Sequence, residues 1–159
     1  MNFSPKPLEF APGAWRSLML DLRARGGGRR ESGAFLLTRA ASGVPLVETW
    51  LPYDELDPAS LNRNFIKLES NAFATLWDVC AQRGLQVVAD VHTHRFGPGQ
   101  SDSDRAHPMV SLPGHIALIA PGYAAGEVEP HDVSFNVFLG DSQWWSCYGN
   151  EAESSIVAP

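Results

Sequence analysis

The feature that most constrains the fold is an apolar segment, residues 85–91 (Leu-Gln-Val-Val-Ala-Asp-Val), which directly follows a helical segment. Short runs rich in Val and Leu are typical of strands buried within a sheet. The preceding helix is predicted to begin near Ser70 and to end at Gly84. Its apolar face consists of Phe73, Leu76, Trp77 and Cys80. A helix that leads straight into a buried strand predicts a sheet with helices packed against it.

The remaining elements agree with that layout. A first helix begins at Pro12 and ends at the glycines of residues 26–28, with its apolar side chains at helical spacing. Those side chains are Trp15, Leu18, Met19 and Leu22. Strands are predicted at 32–40, 44–52, 64–68, 115–120, 133–139 and 143–149. The first two strands are joined by a turn at Ala41-Ser42-Gly43. The order of these helices and strands along the chain favours an α+β fold, in which helices flank a mixed sheet.

Length and composition indicate one folded domain. The chain has 159 residues, of which 44% are hydrophobic and 19% are charged, values typical of a folded protein. We expect residues 1–150 to form a single domain and residues 151–159, which are small and polar, to form a flexible C-terminal tail.

Charge and hydropathy argue against nucleic acid and membrane as partners, and the cysteines indicate the compartment. The formal net charge of −6 argues against nucleic acid as a partner, because nucleic-acid binders carry a basic face. No apolar run approaches the ~20 residues of a membrane span, and the first residues lack the layout of a signal peptide. Cys80 and Cys147 have no ligand-like spacing and suit a reducing compartment. We therefore expect a cytoplasmic protein that binds neither nucleic acid nor membrane.

The buried segment leads directly into His92-Thr93-His94, whose two imidazoles are candidate metal ligands. Alternate side chains of a strand point the same way, so His92 and His94 face one side and can share a metal ion. Neutral imidazoles suit zinc, and a catalytic zinc typically has three protein ligands and one open position. The third ligand is Asp104 or Asp90, which the residues alone leave open. A solvated or hydrogen-bonded histidine pair is the alternative.

Two further residues complete the pattern. Ser101-x-x-Asp104 is also a capping-box variant that would begin a helix, so a purely structural role for both residues is possible. Glu31 directly precedes an apolar strand, and a glutamate beside arginines is most often a surface residue. Near two metal-binding histidines, however, a carboxylate that does not bind the metal is the general base that hydrolysis requires.

Taken together, these residues resemble the JAMM/MPN metalloproteases, also called Mov34 or JAB domains. That family has a glutamate upstream of His-x-His-Pro-x6-Ser-x-x-Asp, and the likeness spans most of this chain. Two departures concern the loop after the histidines: Arg95 stands where the family typically has proline, and six residues separate His94 from Ser101 where the family has seven. Loops over a surface absorb such changes easily. The departures affect the substrate groove more than the metal.

The resemblance implies a fold, a cofactor and a reaction. The fold is MPN/JAB-like, related to the cytidine deaminases, and the chain looks like a small prokaryotic single-domain member. Zinc would be bound by His92, His94 and Asp104 together with a water molecule. Glu31 would take the proton of that water, and Ser101 would donate to the developing oxyanion.

The same resemblance implies a substrate. Family members typically cleave a peptide or isopeptide bond after the C-terminal glycine of a ubiquitin-like protein. The partners would be such a protein or its conjugates, with neighbouring activating and conjugating enzymes, in some cases in antiviral defence. His107 and His115 would be partners of the ligands or ordinary polar residues.

Two other functions compete with this one. A non-catalytic MPN scaffold in a larger assembly usually lacks the ligands, and it would purify without stoichiometric metal. A metal-dependent phosphoesterase or amidohydrolase also uses His-x-His at a strand end, but it often needs a second metal and further ligands. Phosphate-ester assays would detect that activity.

Overall fold

The computed structural model describes residues 3–40, 43 and 45–159. The helices are α1 (Ala14–Gly26), α2 (Tyr53–Leu56), α3 (Ser70–Arg83), α4 (Asp102–Ala106) and α5 (Gly149–Ser154). The strands are β1 (Leu8–Phe10), β2 (Gly33–Arg39), β3 (Leu46–Val47), β4 (Thr49–Pro52), β5 (Leu85–Thr93), β6 (Ile116–Ala120), β7 (Ser134–Gly140), β8 (Gln143–Cys147) and β9 (Ile156–Val157). None of the helices in the described residues has the length and apolar character of a membrane span.

The central element is a six-stranded sheet in the order β4-β2-β5-β6-β7-β8. Strands β5 and β6 are parallel, whereas every other neighbouring pair in this sheet is antiparallel. A smaller sheet, in the order β3-β1-β9, has parallel pairing throughout. The prediction of an α+β fold with a mixed sheet and flanking helices is confirmed.

Both faces of the large sheet are covered, and strand alternation decides which side chain meets which helix. On β2, Ala34 and Leu36 join the core beneath α1, while Phe35 and Leu37 join the core beneath α3. These four side chains are at most 2% exposed, which explains the continuous apolar run of this strand. On β5, the residues at 89 and 91 face α1. The alternate positions, including His92, therefore face the α3 side.

Both predicted long helices are confirmed: the first begins at Ala14, two residues after the predicted start at Pro12, and the second spans Ser70–Arg83. The predicted helix start at Ser101 is confirmed as well. The predicted strand at 44–52 is instead two strands: β4 pairs antiparallel with β2, and β3 pairs with β1. The predicted strand at 64–68 is wrong, because the backbone there forms one isolated bridge, Leu61 to Ile66. In the predicted turn at 41–43, residues 41 and 42 lie outside the described residues.

The C-terminal segment corrects the expectation of a flexible tail at residues 151–159. The last four residues of helix α5 and all of strand β9 fall within it, and β9 pairs in parallel with β1. Ala152 is fully buried and Ile156 is 6% exposed. The small and polar composition of this segment wrongly indicated flexibility. Burial of Ala152 and Ile156, together with pairing of β9 to the edge of β1, fixes the segment to the domain.

Candidate metal centre

Strand β5 presents the two histidines at the edge of a cavity. His92 belongs to the strand, and His94 follows it, with its backbone N–H donating to the carbonyl of Ala120 at 2.9 Å. Thr93 ties the strand end to the segment before β2, since its Oγ1 accepts from the N–H of Ser32 at 2.9 Å. The backbone of Thr93 also donates to Ser32, at 2.8 Å. These bonds hold the strand end against the segment that carries Glu31.

Asp104 reaches the histidines from the first turn of α4. A capping box orients it: Ser101 Oγ accepts from the Asp104 N–H at 3.0 Å, and Asp104 Oδ2 accepts from the Ser101 N–H at 2.8 Å. The same carboxylate lies 3.3 Å from His92 Nε2 and 3.0 Å from His94 Nε2. The capping box and contact with the histidines therefore coexist, and the box aims the carboxylate at the imidazoles.

The contacting atoms have a spacing that suits one metal ion. The two Nε2 atoms of His92 and His94 lie 3.0 Å apart. Around a tetrahedral zinc with bonds of ~2.0–2.1 Å, two ligand atoms lie about 3.3 Å apart. Asp104 contacts the two rings through different oxygens, Oδ1 at 3.3 Å from His92 Nε2 and Oδ2 at 3.0 Å from His94 Nε2, and each of these separations is close to that value. Two imidazole nitrogens facing each other need a proton or a cation between them, so the donor set fits zinc.

Charges shift the pKa values of these residues in opposite directions. Burial alone would lower the pKa of His92, but the hydrogen bond and charge of Asp104, with the charges of Asp90 and Glu31, raise it above its ordinary value. Burial would raise the pKa of Asp104, whereas hydrogen bonds from His92 and His94 hold it well below its usual range. Metal binding requires an ionised carboxylate and neutral imidazoles, so the lowered pKa of Asp104 favours a bound cation, whereas at His92 the cation must displace a proton.

Glu31 lies beside this group and is 8% exposed. Its carboxylate and the ring nitrogens of His92 and His94 are all within 4.8 Å of one another. Two hydrogen bonds of ordinary length through a water molecule span about 5.5 Å, so one water bridges such a separation. Burial raises the pKa of Glu31, the two imidazoles oppose the shift, and Asp104 adds to it. A raised pKa brings the carboxyl group closer to the range in which it both takes and returns protons.

Both Glu31 and Asp104 are thus close enough to compete for the third ligand position. Asp104 contacts both imidazoles directly. Glu31 makes no side-chain hydrogen bond with any described residue, and its backbone is fixed by donation to the Asn62 carbonyl at 2.9 Å. The contacts favour Asp104 as the ligand and leave Glu31 available to a water molecule.

The structure also locates the other residues that the sequence singled out. Asp90, the alternative third ligand, is 2% exposed and contacts His115 Nε2 at 2.6 Å instead. Tyr53, which the sequence did not single out, has a buried hydroxyl without a hydrogen-bond partner among the described residues. Burial and the charge of Asp90 raise the pKa of Tyr53 well above its ordinary value. His107 lines the cavity of the histidines and is exposed.

The cavity at the histidines has a volume of about 300 Å³, at the small end of the range for ligand pockets. Ser101 lines it, and because its oxygen accepts from Asp104, its hydroxyl proton is free to donate elsewhere. Sequence reasoning missed much of the wall, which includes Asn64, Phe65, Ile66, Phe96 and Met109. Phe96 is close in sequence to the histidine motif and Met109 to Asp104, whereas Asn64, Phe65 and Ile66 come from a distant loop.

Comparison with known proteins extends the description of the fold. No protein-family model matches the chain. The structure is similar to the solution structure of protein DSY2949 from Desulfitobacterium hafniense, with a TM-score of 0.67 and 13% sequence identity over 96% of this chain and 92% of that chain. It is also similar to the solution structure of a protein from Salinibacter ruber, with a TM-score of 0.62 and 18% identity over the same shares. At these identities the likeness shows the fold alone.

Proposed function

We propose that this protein is a zinc-dependent peptidase or isopeptidase of the JAMM/MPN type. The observation that carries the proposal is the meeting of His92, His94 and Asp104, whose contacting atoms are 3.0–3.3 Å apart, with Glu31 beside them. The order and types of these residues match the JAMM pattern. The α+β architecture is compatible with an MPN/JAB-like fold.

Each residue has a distinct part in the proposed reaction. His92, His94 and Asp104 would hold zinc, which when bound would act as a Lewis acid and would lower the pKa of a water molecule toward ~7. Glu31 takes a proton from the attacking water and returns it to the departing amine nitrogen. Its burial and raised pKa suit this double use. Ser101 donates its hydroxyl proton in a hydrogen bond to the carbonyl oxygen as negative charge develops there.

The proposed substrate follows from the family resemblance. We infer that the bond cleaved follows the C-terminal glycine of a ubiquitin-like protein, either in a conjugate or in a precursor. A cavity of about 300 Å³ accommodates an extended glycine-containing tail more readily than bulky side chains. The proposal places the enzyme in the cytoplasm, where activating and conjugating enzymes supply its substrates.

The decisive experiment separates metal binding from catalysis. Purified protein should contain about one zinc per chain by mass spectrometry, and it should cleave fusions in which a peptide follows a ubiquitin-like protein. Asp104→Asn should lose both zinc and cleavage. Glu31→Gln should keep the zinc and lose cleavage by at least about a hundredfold, the size of a general-base contribution.

Two control substitutions of the same chemical type lie outside the cavity. Asp102 lies two residues before Asp104 on α4, is exposed and does not line the cavity, so Asp102→Asn should retain zinc and activity. Glu153→Gln, on the exposed face of α5, serves the same purpose for Glu31→Gln. Equal cleavage by wild-type and Glu31→Gln protein would overturn the role of Glu31, and metal-free active protein would overturn the zinc site.

A further inference from the structure

Arg95 occupies a place in the cavity that the proposed reaction does not use. It directly follows His94, lines the same cavity and is exposed. In the part of the chain that the structure describes, it forms no ion pair with any carboxylate, whereas Arg25 contacts three. Arg95 therefore presents an uncompensated positive charge next to the histidine group.

The neighbouring ring orients that charge. The Cζ atom of Arg95 lies 4.8 Å from the centroid of the Phe96 ring, and Phe96 is 75% exposed. A guanidinium stacked on an aromatic face keeps its N–H groups pointing outward in its own plane. Those N–H groups match the two oxygens of a carboxylate, which guanidinium binds through paired hydrogen bonds.

The charges of the cavity determine where an anionic group can bind. Glu31 and Asp104 carry negative charge near the histidines, and the whole chain has a net charge of −6. A bound zinc ion would offset the charges of Glu31 and Asp104, so the guanidinium of Arg95 is the side chain in this cavity wall that adds attraction for an acidic group. Phe65, Ile66 and Met109 form an apolar part of the same wall.

We propose that Arg95 is a specificity-determining residue that binds an acidic side chain of the substrate, one or two residues from the cleaved amide. This inference rests on the proposed hydrolytic function and names its substrate class: peptides with Asp or Glu close to the scissile bond. The apolar wall contacts the aliphatic part of that segment. The family's proline has no charge and cannot make this contact, so the preference belongs to this chain.

Binding of defined peptides tests the inference without requiring turnover. The probes are fluorescein-labelled peptides with a central Gly-Gly, amidated C-termini, and Glu, Gln or Lys beside the glycines. Their dissociation constants are measured by fluorescence polarisation with Glu31→Gln protein in zinc-containing buffer. The Glu peptide should bind about fivefold more tightly than the Gln peptide, the effect of a favourable exposed ion pair. Arg95→Ala should abolish that difference, and Arg95→Glu should shift the preference to the Lys peptide.

A control variant separates local from overall charge. Arg39 is exposed at the far end of β2, where it pairs with Leu85, whereas Gly33 pairs with His92 at the site end. Arg39→Glu changes the net charge by the same amount and should keep the preference for the Glu peptide. If Arg39→Glu removes the preference, net charge and not a direct contact with Arg95 determines binding, and the proposal fails.

The outcomes distinguish this inference from the proposed function. If the three peptides bind alike, or none binds, Arg95 is not a specificity determinant, even where ubiquitin-like fusions are cleaved in a Glu31-dependent way. If the Glu preference depends on Arg95 but no fusion or peptide is cleaved by wild-type protein, the binding inference holds and the hydrolase proposal fails. A Gln peptide with a free C-terminal carboxylate that matches the Glu peptide would overturn the assignment to a side chain.

Discussion

Asp90 Oδ2 lies 2.6 Å from His115 Nε2, and the side chains of both residues are at most 6% exposed. The pair joins β5 to the residue just before β6, two positions along β5 from His92. It occupies the same strand face as the histidine group, because residues 90 and 92 alternate with those that face α1. The sequence left open whether Asp104 or Asp90 is the third candidate metal ligand, and this contact distinguishes them. Asp104 contacts the imidazoles of His92 and His94, whereas Asp90 contacts His115.

Removing one member of this buried pair should be strongly destabilising. His115→Ala leaves the Asp90 carboxylate buried without its partner, and we expect a loss of about 3 kcal/mol in the free energy of unfolding. Urea denaturation measures the loss. The exposed pair of His131 and Asp132, 3.4 Å apart, provides the control, and His131→Ala should cost under about 0.5 kcal/mol. Similar costs for the two variants would contradict a structural role for the buried pair.

Stability of the metal-free protein should depend on pH through the contact of His92 with Asp104. The lowered pKa of Asp104 stabilises the fold above the ordinary value of 3.8, and this is lost as pH falls through the folded pKa. The raised pKa of His92 stabilises the fold below the ordinary value of 6.5, and this is lost as pH rises through the folded pKa. Both contributions are present between about pH 4 and pH 6.5.

In chelator-treated protein, Asp104→Asn should therefore reduce the free energy of unfolding more at about pH 5.5 than at about pH 8.5. Urea titrations at the two pH values measure the difference. Ser101→Ala removes the reciprocal cap and keeps the carboxylate, so its cost, about 1 kcal/mol, should be alike at both values. A pH-independent effect of Asp104→Asn would show that the carboxylate acts only as a cap.

Gly33 is required by packing at the base of the site. A Cβ atom there would lie 2.5 Å from Cε2 of Tyr53 and 2.6 Å from the carbonyl oxygen of Val91. Gly33→Ala should therefore cost about 1–3 kcal/mol in unfolding free energy, the usual range for overpacking. It should also lower zinc content, because Gly33 pairs with His92 across the sheet. Gly126→Ala, where the new Cβ meets nothing within 4 Å, should leave both measurements unchanged.

The C-terminal strand should contribute to stability through one of its two residues. Ile156 is 6% exposed within the core, whereas its neighbour Val157 is 44% exposed. Ile156→Ala should reduce the free energy of unfolding by about 2–3 kcal/mol, and Val157→Ala by under about 0.5 kcal/mol. Thermal and urea unfolding of both variants compare them directly. Equal small effects would restore the original expectation of a loosely attached tail.

Local patterns were enough to predict the parts of the molecule that depend on neighbours in the chain. Helical spacing located α1 and α3, and the two-residue period of strands placed His92 and His94 on one face. The Ser101-x-x-Asp104 pattern predicted the start of α4 because both of its hydrogen bonds form within one turn. The α+β class followed from the order of these elements.

Long-range pairing decided the rest. Only the folded chain brings Glu31 to the histidines and engages Asp90 with His115, because these contacts join segments separated by tens of residues. The parallel pairing of β9 with β1, and the wall that Phe65 and Arg95 share, arise in the same way. Sequence periodicity specifies which face of a strand or helix a side chain occupies. Which side chains of distant segments come into contact is determined by the pairing and packing of the whole sheet.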